Sequence, residues 1–154
     1  MAAGEHGDAA RSGWRARLLT LEAMVALSFA RLLIQFVRFR RWRHLLGVTS
    51  RKPVSTTDVE ASRQDHYLAR VVERAAQHLP FETKCLPRAM ALFWMLSRRN
   101  RDSQLVLAVL PEERRGGSLD DLHAWVEMDR TILIGDTGLK YIEIARFYRK
   151  RITN

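Results

Sequence analysis

Up to about residue 100 the apolar positions of this chain recur every three to four residues, and beyond it every two. The first twelve residues are small and polar, with two glycines, and read as a disordered tail. Between Trp14 and Leu46 there is neither glycine nor proline, which predicts one long helix or two in succession. Arg17, Thr20, Ser28, Arg31, Gln35 and Arg38 share one narrow sector of it, while most of the remaining circumference is apolar, so the helix needs cover on several sides. Gly47 ends it and VTSRKPVS reads as a connector. Thr57 with Glu60 forms a capping-box pair for a second helical stretch carrying Leu68, Val71, Val72, Ala75 and Leu79, which Pro80 stops. A third helix starts near Thr83 and carries Leu86, Met90, Phe93, Trp94 and Leu96. It holds Pro87 in its first turn, where a missing N–H is harmless.

After the polar run Arg98 to Ser103 the segments QLVLAVLP, HAWVEM and TILIGD read as three strands. Asp129 and Arg130 join the last two. A four-residue loop is favoured there, because Arg130 would be strained at positive φ in a tight turn. The charged, glycine-containing loop between the first two strands is the kind of segment that often forms the lip of a site. YIEIARFYRKRITN fits strand or helix alike. The pattern as a whole predicts an α+β fold with a helical N-terminal half and a small antiparallel sheet. Its parts are a tail over 1–12 and a single domain over 13–154, with a basic helical arm at 13–52, helices at 57–101 and the sheet at 104–154.

Composition sharpens this picture in three ways. A chain of 154 residues, 47% hydrophobic and 28% charged, suits one globular domain and excludes a disordered protein. The net charge of +9 is concentrated, since residues 11–52 carry ten Arg or Lys against the single acid Glu22. An acidic partner is therefore expected at the arm, with Arg31, Arg38, Arg40 and Arg41 as candidate contacts. FVRFRRWRHLL has the makings of a nucleic-acid or anionic-membrane contact, but arginines snorkelling from a packed helix end explain it equally, and no nucleic acid is expected. Glu22, Arg31 and Gln35 interrupt the apolar runs, so no transmembrane segment is expected. The acidic start argues against a signal peptide, and a single cysteine suits a reducing cytoplasm. His6, His44, His66 and His78 lack metal-ligand spacing, so neither metal nor cofactor is expected.

The candidate chemistry begins at Cys85, near the start of the third helix, where free amide groups and the helix dipole favour a thiolate. A free cysteine is more often a small buried hydrophobe. Register adds a second observation. A hairpin centred between Asp129 and Arg130 pairs Met128 with Thr131 and, carried along the strands, sets His123 opposite Asp136, within hydrogen-bonding reach of a carboxylate and an imidazole. An acid fixing the imidazole tautomer and an imidazole activating a thiol make a nucleophilic constellation. Trp125 and Glu127 share the His123 face. Trp125 either walls a site or is plain core, and Glu127 is the alternative orienting acid.

Cysteine at a helix start, then histidine and aspartate on successive strands, resembles the transglutaminase-like branch of papain-type folds. More closely, ARLLIQFVRFRRWRHLLG, VVERAAQHLPFETKCLPRAMALFWMLSRRN, LVLAV and HAWVEM are similar to the lasso peptide biosynthesis B2 proteins, over about Leu18 to Tyr148. The resemblance implies a cysteine leader peptidase with Cys85 as nucleophile, His123 as base and Asp136 as orienter. It cuts a ribosomally made precursor and frees the core amine for a separate ATP-using macrolactam synthetase. It also implies a separate leader-binding recognition protein, because the residues before Cys85 lack the strand patterning of a fused recognition domain. Leu122 departs from the family's usual smaller residue and bears on the shape of the adjoining pocket. A thiol-dependent acyl transferase and a non-catalytic basic binding module are the competing readings.

Overall fold

The structure is a computed structural model that describes residues 5–50, 60–117 and 121–149, with side chains from residue 13. Helix α1 (Glu5–Phe36) begins earlier than the sequence pattern predicts, so residues 5–12, expected as disordered tail, are helical. A short α2 (Phe39–Trp42) and a 3-10 turn over Arg43–Leu46 follow. Of the two expected forms, one long helix or two in succession, the chain takes the second: Arg38 turns extended between them, with φ −57° and ψ 134°. The turn swings Trp42 and Leu46 into the core, and the Trp42 indole donates to the Val37 carbonyl at 2.9 Å.

Gly47 ends the run as expected. At φ 94° its backbone passes the Tyr148 carbonyl so closely that a Cβ there would lie 2.3 Å from the oxygen. That close passage starts strand β1 (Val48–Ser50), where the sequence suggested only a connector. Thr57 lies outside the described residues. Helix α3 (Arg63–His78) is capped instead by Ser62, which exchanges capping-box bonds with Asp65. Helix α4 (Cys85–Ser97) starts two residues after Thr83 and buries Met90, Phe93 and Leu96.

Strands β2 (Gln104–Val109), β3 (Leu122–Met128), β4 (Thr131–Ile134) and β5 (Ile142–Tyr148) join β1 in one antiparallel sheet of order β1-β5-β2-β3-β4. The ambiguous C-terminal segment is thus a strand, inserted between β1 and β2. One face of the sheet, carrying Leu105, Ala124, Val126, Met128 and Phe147, packs with α1, α3 and α4 around the core. The other carries a smaller cluster of Val106, Ala108, Trp125 and Tyr141.

Two ion pairs tie the C-terminal end of α4 to the other helices. Arg99 forks onto Glu22 of α1 at 3.1 and 2.6 Å, and Arg101 forks onto Asp65 of α3 at 2.9 and 2.5 Å. The Arg99 hydrogen bond outweighs the cost of partial burial and holds the Glu22 carboxyl below its ordinary range. Glu22, the acid that interrupts the apolar helix in sequence, is therefore an anchor to α4.

Gly13–Phe36, whose most apolar 18-residue window has a mean hydropathy of 1.6, is long and apolar enough to cross a membrane by length and composition alone. Isolated polar residues do not lower a window average enough to exclude it. In the folded chain this helix lies along the domain, burying Ala23, Leu27 and Ala30 against α3 and α4.

Candidate active site

Cys85 is the first residue of α4. The N-cap, Lys84, makes no side-chain cap, so the helix-start amides are not occupied by a capping oxygen from that residue. The approach to the helix is held from two directions. Arg31 of α1 donates to the Glu82 carbonyl at 2.6 Å and stacks over the Phe81 ring, and Arg88 donates to the Thr83 hydroxyl at 3.3 Å. Arg31, a candidate partner contact in the sequence, is thus engaged inside the chain, whereas Arg38, Arg40 and Arg41 are exposed.

The half-buried thiol of Cys85 lies 3.9 Å from the carbonyl oxygen of Leu122, the residue before His123. Leu122 itself is exposed, with its main chain facing the cysteine. The structure therefore brings the cysteine to the start of the strand that bears the histidine. Thiol and imidazole are not hydrogen-bonded to one another among the described contacts. The imidazole instead places Nε2 2.6 Å from the Gly135 carbonyl and stacks on Tyr141 with ring centres 4.8 Å apart. A carbonyl accepts only, so Nε2 carries a proton, and the neutral tautomer that fits this contact has its lone pair at Nδ1.

The expected face-to-face pairing of His123 with Asp136 does not form. The β3–β4 turn is a tight two-residue one, with Asp129 at φ 43° and Arg130 at φ 64°, because that hand of turn matches strand twist and outweighs the strain at arginine. The predicted register holds at Met128↔Thr131 and Glu127↔Ile132, then slips by one residue at Val126↔Ile134. This bulge ends the ladder early and presents the Gly135 carbonyl where the Asp136 carboxylate was expected. Gly135 is required there: at φ 88°, an added Cβ would lie 2.7 Å from the Ala124 carbonyl oxygen. The Asp136 carboxylate accepts from the Gly138 N–H at 3.0 Å, one residue beyond the bond to histidine.

Glu127 is committed elsewhere. It accepts from the Trp125 indole at 3.1 Å and pairs with Arg146, whose guanidinium is buried among Glu127, Glu143 and Gln104. Burial works against the Arg146 charge, but the bonds to Glu143 and Glu127 more than restore it. Glu127 therefore does not orient the imidazole. Trp125 is both core and neighbour, buried with Val106 and Ala108 and 6.1 Å from the His123 ring centre to centre.

Sequence reasoning missed Tyr141 and the Gly135 carbonyl. The glycine closing TILIG was the available signal, since glycine in a strand pattern marks a bulge or close backbone approach. Beneath β4 a cleft of about 260 Å³ runs between that edge strand and α3, lined by His66, Arg70, Glu73, Ile132, Gly135 and Asp136. Among the described residues no three His, Cys, Asp or Glu gather to hold a metal ion.

The comparisons with known proteins agree with this arrangement at the level of the family. The model of the transglutaminase-like superfamily core matches residues 23–146, which includes α3, α4, the cysteine, the histidine and all but the end of the sheet. Searches of curated proteins and of solved structures found no match. With most of its length covered by that family model, the chain belongs to the transglutaminase-like superfamily, and membership suggests a cysteine protease or transferase.

Proposed function

We propose that the protein is a cysteine peptidase that removes the leader from a ribosomally made lasso peptide precursor, acting in the cytoplasm with Cys85, His123 and Asp136. The observation that carries this reading is the cysteine at the start of α4, with its thiol 3.9 Å from the main-chain carbonyl immediately before His123. The motif resemblance around CLPRAM and HAWVEM supplies the substrate class.

In this mechanism His123 Nδ1 takes the Cys85 proton as the ring turns toward the thiol. The thiolate attacks the carbonyl of the last leader residue, and the Cys85 backbone N–H supports the oxyanion. As the C–N bond breaks, the imidazolium protonates the leaving core amine and a thioester remains. Water, deprotonated by His123, then attacks the thioester, releasing the leader carboxylate and restoring the thiol. A separate leader-binding protein presents the precursor, and a macrolactam synthetase consumes the freed amine. The open edge of β4 and the cleft beneath it, ending at Gly135 and Asp136, offer an extended peptide a place beside the imidazole.

The test is mass analysis of the products formed from precursor and leader-binding protein. A free leader carboxylate is expected. A leader amide would instead establish transfer to an amine, the second chemistry that the superfamily membership supports.

Asp136→Asn separates the two candidate orienters. In the proposal Asp136 takes over the Nε2 proton when substrate is bound, so this variant is expected to lose on the order of 10²-fold or more in kcat/KM. An unchanged rate would leave orientation to the Gly135 carbonyl alone.

A further inference from the structure

From Trp14 to Phe36 the face of α1 turned away from the core is apolar. Trp14, Leu18, Leu21, Val25, Phe29, Leu32 and Phe36 follow one another at intervals of four, three, four, four, three and four residues. That spacing keeps them in one nearly straight stripe about 33 Å long. All seven are exposed, Leu21 at 57%, Val25 at 62% and Phe36 at 73%. They lie opposite Ala23, Leu27 and Ala30, which are fully buried against the other helices. A single exposed apolar residue is ordinary; a continuous stripe of this length is not.

The charges around the stripe have one sign. Arg15 and Arg17 are exposed near its start, and Arg38, Arg40, Arg41 and Arg43 are exposed past its end, with exposed Phe39 among them. Glu22, the one acid between residues 11 and 52, is turned aside and held by Arg98 and Arg99. A second copy of the chain makes a poor cover, because parallel or antiparallel pairing of two such helices sets cations against cations. Ion pairing at Glu22 and Ala23, Leu27 and Ala30 packed on the domain hold the helix lengthwise, which suits lying on a surface and not crossing it. A flat anionic surface meets the stripe, its arginine border and Phe39 together.

We infer that α1 docks the protein on an anionic lipid bilayer, with the stripe from Trp14 to Phe36 entering the headgroup boundary and the flanking arginines on lipid phosphates.

Flotation of the full chain with vesicles of phosphatidylcholine, with and without phosphatidylglycerol, tests this. Binding is expected to be more than about tenfold tighter to the anionic vesicles and to weaken with salt. The double variant Val25→Glu/Phe29→Glu is expected to lose it. Arg38→Glu/Arg40→Glu/Arg41→Glu should weaken it about a hundredfold or more at low salt. These positions are exposed, and circular dichroism of each variant verifies the fold. A second readout is fluorescence quenching by brominated lipid: the chain has four tryptophans, and the quenched part of the signal is expected to disappear in Trp14→Phe. Three results would overturn the inference. They are absence of binding to anionic vesicles, binding unchanged in Val25→Glu/Phe29→Glu, and a lipid-independent dimer or complex with the leader-binding protein that the same double variant dissolves.

Discussion

Cys85→Ala is expected to leave no detectable cleavage of the precursor, a loss of more than about 10³-fold, with an unchanged fold. The chain contains one cysteine, so no second thiol is present to substitute. The side chain is small and half-buried at the margin of the core, with a main-chain carbonyl at 3.9 Å, and Ala keeps its Cβ, so loss of the sulfur alone should scarcely alter packing. A melting curve beside the assay separates loss of chemistry from loss of structure. Iodoacetamide supplies the same result by another route, since labelling of the intact protein has a single target and should also stop the reaction. Cleavage by Cys85→Ala at even a tenth of the original rate would remove the thiol from the mechanism.

The largest effect on stability is expected at Asp65. This carboxylate is 1% exposed and serves two elements at once. It completes the capping box of α3 with Ser62 and receives the Arg101 guanidinium from the end of α4. Asp65→Ala would uncap the helix and strand a partly buried cation beside Met128, at a cost of about 3 kcal/mol or more. For a domain of this size that lowers Tm by roughly 10 °C.

Burial by itself would raise the Asp65 carboxyl. The hydrogen bonds from Arg101 and Ser62 outweigh it and hold the group below its ordinary value. A group depressed in this way contributes fully above its unfolded pKa of about 3.9, and the contribution is lost as pH falls through the folded value. The gap between wild type and variant should therefore be wide at pH 7 and shrink below about pH 4. Equal melting temperatures at pH 7 would show that the pair does not hold the helices together.

The elements most legible in the sequence were those defined by burial. Leu68, Val71, Val72 and Ala75, then Met90, Phe93 and Leu96, repeat at helical spacing because they face one core, and the structure buries all of them. HAWVEM alternates because the sheet has two faces: Ala124, Val126 and Met128 meet the helices while Trp125 meets Val106 and Ala108.

What sequence could not supply were features decided by one residue of register or by contacts far along the chain. The slip beyond Glu127 depends on where an extra residue is accommodated, and alternation is equally satisfied before and after it. Arg99 and Arg101 look like any solvated helix end until Glu22 and Asp65, 77 and 36 residues away, are folded against them. Two helices in succession were one of the forms expected here, but the place of the break at Arg38 was hidden for a similar reason, since it follows from the burial of Trp42 and Leu46.

Helix α1 touches the approaches to the candidate active site at both ends of α4. Near its middle, Glu22 grips Arg99 beyond the last turn of α4, and further on Arg31 grips Glu82 just before the first. The N-terminal segment is thus a splint laid across the cysteine's helix, fixing its length and tilt from outside. Deleting it to obtain a minimal enzyme would release the approach to Cys85 along with the arm. By the same linkage, whatever grips the outer side of α1 gains mechanical purchase on the position of the thiol, so attachment and activity need not be separate properties of this chain.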